Sequence, residues 1–174
     1  MYSFRQSDIY FIGGIYLEEY YRRNIVDLVM IQLDKSYELG MKGPDSFDEA
    51  GLTLYIFKEL FRIDIEKDGY GMNEITRQMT NSIGNLTQYI EDDSNKKKYL
   101  DDIKSGDLVF FHTKSLDECQ STANNQYPGH VGIYLGDKKF IHVSVDEECV
   151  VIDELDGIWL EKLVASRDIV SSVI

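Results

Sequence analysis

Cysteine and proline are both rare here, two of each in 174 residues. Two thiols, Cys119 and Cys149, cannot build a disulfide framework in a chain of this length, so both read as reduced. A cytoplasmic setting is the expectation that follows. Positive charge is scarce as well: 18 Lys and Arg stand against 31 Asp and Glu, a formal net charge of −13. Such a surface repels phosphate backbones, which excludes nucleic acid as a partner, and it gains no general attraction to an anionic envelope. A long apolar run is also missing. The opening MYSFRQSDIYFIGGIYLEEYYRR lacks a basic start and meets Glu18, Glu19 and Arg22 early, so it reads as neither signal peptide nor membrane span.

The hydrophobic fraction, 43%, is that of an ordinary globular chain. No internal repeat or low-complexity linker divides it, and the length fits a single domain over residues 1–174 with one sizeable core. Ile9–Tyr16 contains Gly13-Gly14 and reads as a short strand or as a turn leading into a helix. From Leu17 to Leu39, apolar residues at Tyr21, Ile25, Leu28, Val29 and Leu33 have helical spacing with one buried face. Residues 1–36 therefore form an expected N-terminal helical region. Asp48 is a credible cap for a largely apolar helix over Leu52–Phe61, and residues 37–62 make a second unit. Further helices are expected around Met72–Ile83 and Thr87–Asp92, and Glu91–Asp102 reads as a solvated charged surface.

After Gly106 the period changes. Asp107–His112, Val131–Leu135, Lys139–Val145 and Val150–Glu154 read as short antiparallel strands, with Gly136-Asp137 as a hairpin turn. A short helix at Trp159–Leu163 and a closing strand at Ala165–Val170 complete an antiparallel sheet over 106–170. Helices followed by a meander of strands indicate an α+β domain. The polar loop Thr113–Gly129 reads as a lid, a binding segment or plain surface. Tyr10, Tyr16, Tyr20 and Tyr21 read first as packing residues and second as an interface.

Four strings in order, GPDSFDEAGLTLYIF (Gly43–Phe57), GDLVFFH (Gly106–His112), HVGIYLGD (His130–Asp137) and KFIHVS (Lys139–Ser144), resemble the NlpC family of papain-like bacterial cell-wall cysteine peptidases. In that family the first string normally reads FDCSGL and its cysteine is the nucleophile. Here it reads Phe47-Asp48-Glu49-Ala50-Gly51-Leu52, so the attacking sulfur is absent. The resemblance implies a papain-like fold in which N-terminal helices and a buried central helix pack on an antiparallel sheet. The order of the strings argues against a circularly permuted relative. It also implies that His130 stands at the general base, His142 at the group orienting it, Tyr37 beside the nucleophile and Glu49 at the nucleophile itself. The family reaction would be hydrolysis of an amide in a peptidoglycan stem peptide.

A helix start that favours a thiolate also favours a carboxylate, by about 0.3–1 kcal/mol near the macrodipole. Glu49 should therefore suit the fold while attracting His130 and removing the free base. The expected result is an inactive relative that binds a stem peptide or a protein partner and uses no cofactor. Three alternatives stand beside it. Glu49, His130 and His142 form a two-histidine, one-carboxylate set suited to zinc or iron. Cys119 or Cys149 could be an unconventional nucleophile, although free cysteines are mostly small packed hydrophobes. The chain could also be a phage-tail or structural component. His112, at a strand end, reads as an exposed imidazole.

Overall fold

Strand pairing sets the layout. The computed structural model describes residues 6–62, 100–112 and 129–173, with backbone alone for 6–15, 172 and 173. Helix α1 (Gln6–Met30) leads to two-residue strands β1 (Ser36–Tyr37) and β2 (Ser46–Phe47), then helix α2 (Gly51–Phe61). Strands β3 (Leu108–Phe111), β4 (His130–Gly136), β5 (Lys139–Ser144) and β6 (Cys149–Glu154) follow, then helix α3 (Gly157–Lys162), strand β7 (Leu163–Arg167) and the short helix α4 (Val170–Val173). The sheet runs β2-β1-β6-β5-β4-β3-β7. Every pairing is antiparallel except that of β1 with β2. The class is α+β.

Alternation splits the sheet's side chains between two clusters. Leu108, Phe110, Val131, Ile133, Ile141 and Val143 pack against Ile25 and Val29 of α1 and Leu52, Ile56 and Phe57 of α2. Their neighbours Val109, Phe111, Tyr134 and Phe140 pack with Leu163 and, from α3, Trp159 and Leu160. A strand that sends alternate residues into two apolar layers reads as a nearly unbroken hydrophobic run, as LVFF does.

Several expectations need correction. Ile9–Tyr16 is neither strand nor turn: it lies inside α1, Gly13-Gly14 included. Glycine costs a helix roughly 1 kcal/mol relative to alanine, a penalty that a long helix absorbs. The same helix stops at Met30 rather than Leu39, because the next residues are captured by the sheet: Asp34 N–H donates to Val150 O and Val150 N–H to Lys35 O. The helical region therefore does not extend to residue 36, and β1 and β2 add to a sheet expected only from residue 106. Helix α2 begins at Gly51, so Glu49 lies just ahead of its first turn, not within it. The hairpin after β4 turns at Asp137-Lys138, both at positive φ (50° and 57°), as a two-residue turn that matches strand twist requires. Strand β7 begins at Leu163, taking the place expected for the end of the last helix. Tyr21 packs against Phe61, but Tyr16 and Tyr20 are exposed, since they lie on the outward side of α1. His112 is half-buried rather than exposed, and burial holds its pKa below the ordinary value. The expected helices at 72–83 and 87–92, most of the Thr113–Gly129 loop, Cys119 and the side chain of Tyr10 lie outside the described residues.

Candidate functional site

Register places the polar residues. Within β4, His130 and Gly132 share one face, and Gly132 pairs with His142 of β5. His142 in turn pairs with Val151 of β6, whose same-face neighbour is Asp153. His130, His142 and Asp153 therefore descend diagonally across three adjacent strands, each within side-chain reach of the next. Gly132 is required by the crowding: a Cβ there would sit 2.7 Å from Phe140 Cδ2 and 3.0 Å from the Ile141 carbonyl oxygen. Glycine lets β4 and β5 close over this step, which brings the two imidazoles together.

Glu49 arrives from the other side. Asp48 holds the turn before α2, its Oδ1 accepting from the N–H of Ala50 (3.1 Å) and Gly51 (2.6 Å), and its Oδ2 from Gly40 N–H (3.1 Å). The expected cap is thus displaced: Ala50 stands at the N-cap with no side-chain cap bond, and Asp48 instead pins the turn two residues ahead of it. Phe47 on one flank is fully buried. With both flanks fixed, Glu49 points at the start of β4.

The result is a continuous hydrogen-bonded chain. Glu49 Oε1 lies 2.8 Å from His130 Nδ1, His130 Nε2 lies 2.9 Å from His142 Nδ1, and His142 Nε2 lies 3.1 Å from Asp153 Oδ2. The Trp159 indole N–H donates to the same Asp153 oxygen at 2.8 Å. Trp159 also covers the imidazoles, with ring centroids 5.5 Å from His130 and 5.0 Å from His142. Side-chain exposure falls from 39% at Glu49 to 8% at His130 and 2% at His142, then returns to 35% at Asp153. Burial, then the neighbouring His130, lowers the pKa of His142 against the opposing pull of Asp153.

A small open cleft of about 190 Å³ meets the chain at its Glu49 end, lined among others by Tyr37, Leu39, Glu49, Ala50 and His130. Three of the four expected site residues, Glu49, His130 and His142, are thus joined by hydrogen bonds, and Tyr37 lines the same cleft as Glu49 and His130. A metal does not suit this arrangement: the two imidazoles turn nitrogens toward each other, and no group of three potential ligands converges among the described residues. Cys149, paired with Ser36 and Ser144 at the start of β6, does not line the cleft. Asp153 and Trp159 were not foreseen. The available signal was a carboxylate, Asp153, directly after the apolar residues of the strand CVVIDE and on the same face as Val151, the partner of His142.

Residues 34–168 match the NlpC/P60 family. The chain belongs to that family. Murein DD-endopeptidase MepH of Escherichia coli (strain K12) is 28% identical over 82% of this chain and 44% of its own length. Murein DD-endopeptidase MepS/murein LD-carboxypeptidase of the same strain is 22% identical over 78% of this chain and 56% of its own length. The chain thus spans about half the length of these curated relatives. The solved structure of NlpC1 from Trichomonas vaginalis superposes with a TM-score of 0.54 at 25% identity, covering 84% of this chain and 43% of that one. The papain-like α+β fold expected from the four strings is therefore that of an NlpC/P60 domain. Helix α1 (Gln6–Met30) precedes the matched residues. No helix among the described residues is long and apolar enough to cross a membrane.

Proposed function

We propose that this NlpC/P60 domain has no thiol chemistry and uses its cleft to bind a peptidoglycan stem peptide or a protein partner. One observation carries the reading: a carboxylate oxygen sits 2.8 Å from His130 Nδ1, the nitrogen facing the position where the family places its sulfur. A carboxylate there occupies the base that a nucleophile needs and cannot attack as a thiolate does. The peptidoglycan ligand follows from the relatives, which are named as murein endopeptidases.

The test pairs the parent protein with a Glu49→Cys, Ala50→Ser variant on purified muropeptides, following cleavage by chromatography and binding by calorimetry. The parent is expected to bind without cleaving. The variant should cleave at least about 100-fold faster than the parent, the smaller end of what a positioned base contributes. Cleavage by the parent at the variant's rate would sink the reading.

A further inference from the structure

The chain of contacts from Glu49 to Trp159 contains more hydrogen bonds than two neutral imidazoles can supply. Between Glu49 and Asp153 there are three contacts, at 2.8, 2.9 and 3.1 Å, and each needs one hydrogen. An ionised carboxylate only accepts, so His130 Nδ1 and His142 Nε2 must both carry hydrogen. The central contact joins two ring nitrogens and needs a third. Two neutral imidazoles hold only two hydrogens. Without the third, two lone pairs would face each other at 2.9 Å in a buried setting, an unsatisfied arrangement that folding disfavours.

We infer that Asp153, fixed by the Trp159 indole, is a positioning residue that holds His142 as its Nε2–H tautomer and thereby keeps an additional proton on the His130–His142 pair, opposite Glu49. With His142 Nε2–H committed to Asp153, its Nδ1 is left as an acceptor and His130 must donate from both ring nitrogens. His130 is then the imidazolium and His142 the neutral ring. The greater burial of His142 agrees with that division. The four groups carry two negative charges and one positive, with the anions at the two wetter ends and the cation between them. Asp153 thus acts on His130 through His142, touching neither Glu49 nor the cleft.

Among the described residues, few other charges stand near enough to produce the effect. Phe111 on β3 and Phe140 on β5 supply rings, not charge, to the two imidazoles. From α3, Lys162 Nζ stands over the Trp159 ring at 5.6 Å from its centroid, on the indole rather than on either histidine. Asp48, beside Glu49, is engaged with backbone N–H groups. His112, beyond the end of β3, is joined to α3 through its backbone N–H and Lys162 O. Among the described residues, Glu49 and Asp153 are the two anions in contact with the pair.

Nitrogen-15 NMR of the histidines in the free, unmodified protein tests the assignment and needs no ligand, so it stands or falls apart from the binding proposal. Near pH 7 the expected pattern is one ring protonated at both nitrogens and a second protonated at Nε2 alone. Two neutral rings, or a bare Nε2 on His142, would overturn it. In Asp153→Asn, which keeps an oxygen acceptor and removes the charge, the shared proton should be lost about one pH unit lower, a tenfold weaker hold. An unchanged midpoint in a folded variant would also overturn it. Should that variant not fold, the tautomer pattern of the unmodified protein decides alone.

Discussion

Two polar networks stand out among the described residues, and they differ in whether they reach the cleft. Arg22 on α1 reaches Glu18 Oε1 at 2.8 Å, Asp107 Oδ1 at 2.7 Å and Asp168 Oδ2 at 2.7 Å, and donates to Ser105 O at 3.1 Å. Asp107 Oδ2 accepts a further bond from Lys104 N–H. This network ties the helix that precedes the family match to the beginning of β3 and to the C-terminal segment, and none of its members lines the cleft beside Glu49. The Glu49–His130–His142–Asp153 chain is hydrogen-bonded from end to end, and one end emerges in the cleft with Glu49 at 39% exposure. A network that lines no part of the cleft fixes elements relative to one another. One that ends in the cleft leaves a polar group where a ligand can reach it. Hydrogen bonding alone does not distinguish a clamp from a site; a place in the cleft does.

The sharpest way to break this comparison is Arg22→Met. Removing one partner of a buried ion network leaves Asp107 uncompensated, and the expected loss is about 3–5 kcal/mol of unfolding free energy in urea titration. A loss below 1 kcal/mol would show that α1 is held by its apolar face alone.

Acid separates the networks further. Burial holds His142 and His112 below the ordinary histidine value, so the unfolded chain takes up protons that these folded groups refuse. Their contribution to stability is complete above the unfolded value, about 6.5, and is lost as pH falls from there toward the folded values. Glu18 is held below its ordinary value by hydrogen bonds to Lys104 and Arg22. Its contribution survives lower, disappearing only as pH falls through its folded value. Unfolding free energy should therefore drop between pH 7 and 5, and drop less in His112→Gln, which removes one buried imidazole without touching the site. An identical slope in the two proteins would count against the burial of His112.

The smallest effect is expected at the open end. Glu49→Gln keeps a side chain of the same shape before α2, and a partly exposed ion pair is worth about 0–1 kcal/mol. A loss as large as that of Arg22→Met would mean that the site is a clamp too.

The sequence was most readable where residues repeat a pattern and least where partners come from afar. Strands β3 to β6 were legible because alternating or continuous apolar runs are bounded by turn residues. Strands β1 and β2, two residues each, have no period to read, and α1 was overextended because Leu33 continues a helical spacing that the backbone of Val150 overrules. At the site, Glu49, His130 and His142 stood out through their motifs. Asp153 and Trp159 belong to no motif. They join through sheet register and the packing of α3.

What the chain settles by itself is local: which segments are apolar, where the polypeptide turns, and that a carboxylate, Glu49, follows Phe47-Asp48. What only the tertiary structure decides is company. A diagonal across β4, β5 and β6, made possible by a glycine opposite His142, lines up groups distant in sequence. Hydrogen bonds between side chains depend on tenths of an ångström, and those are set by how strands register, not by the order of residues along them.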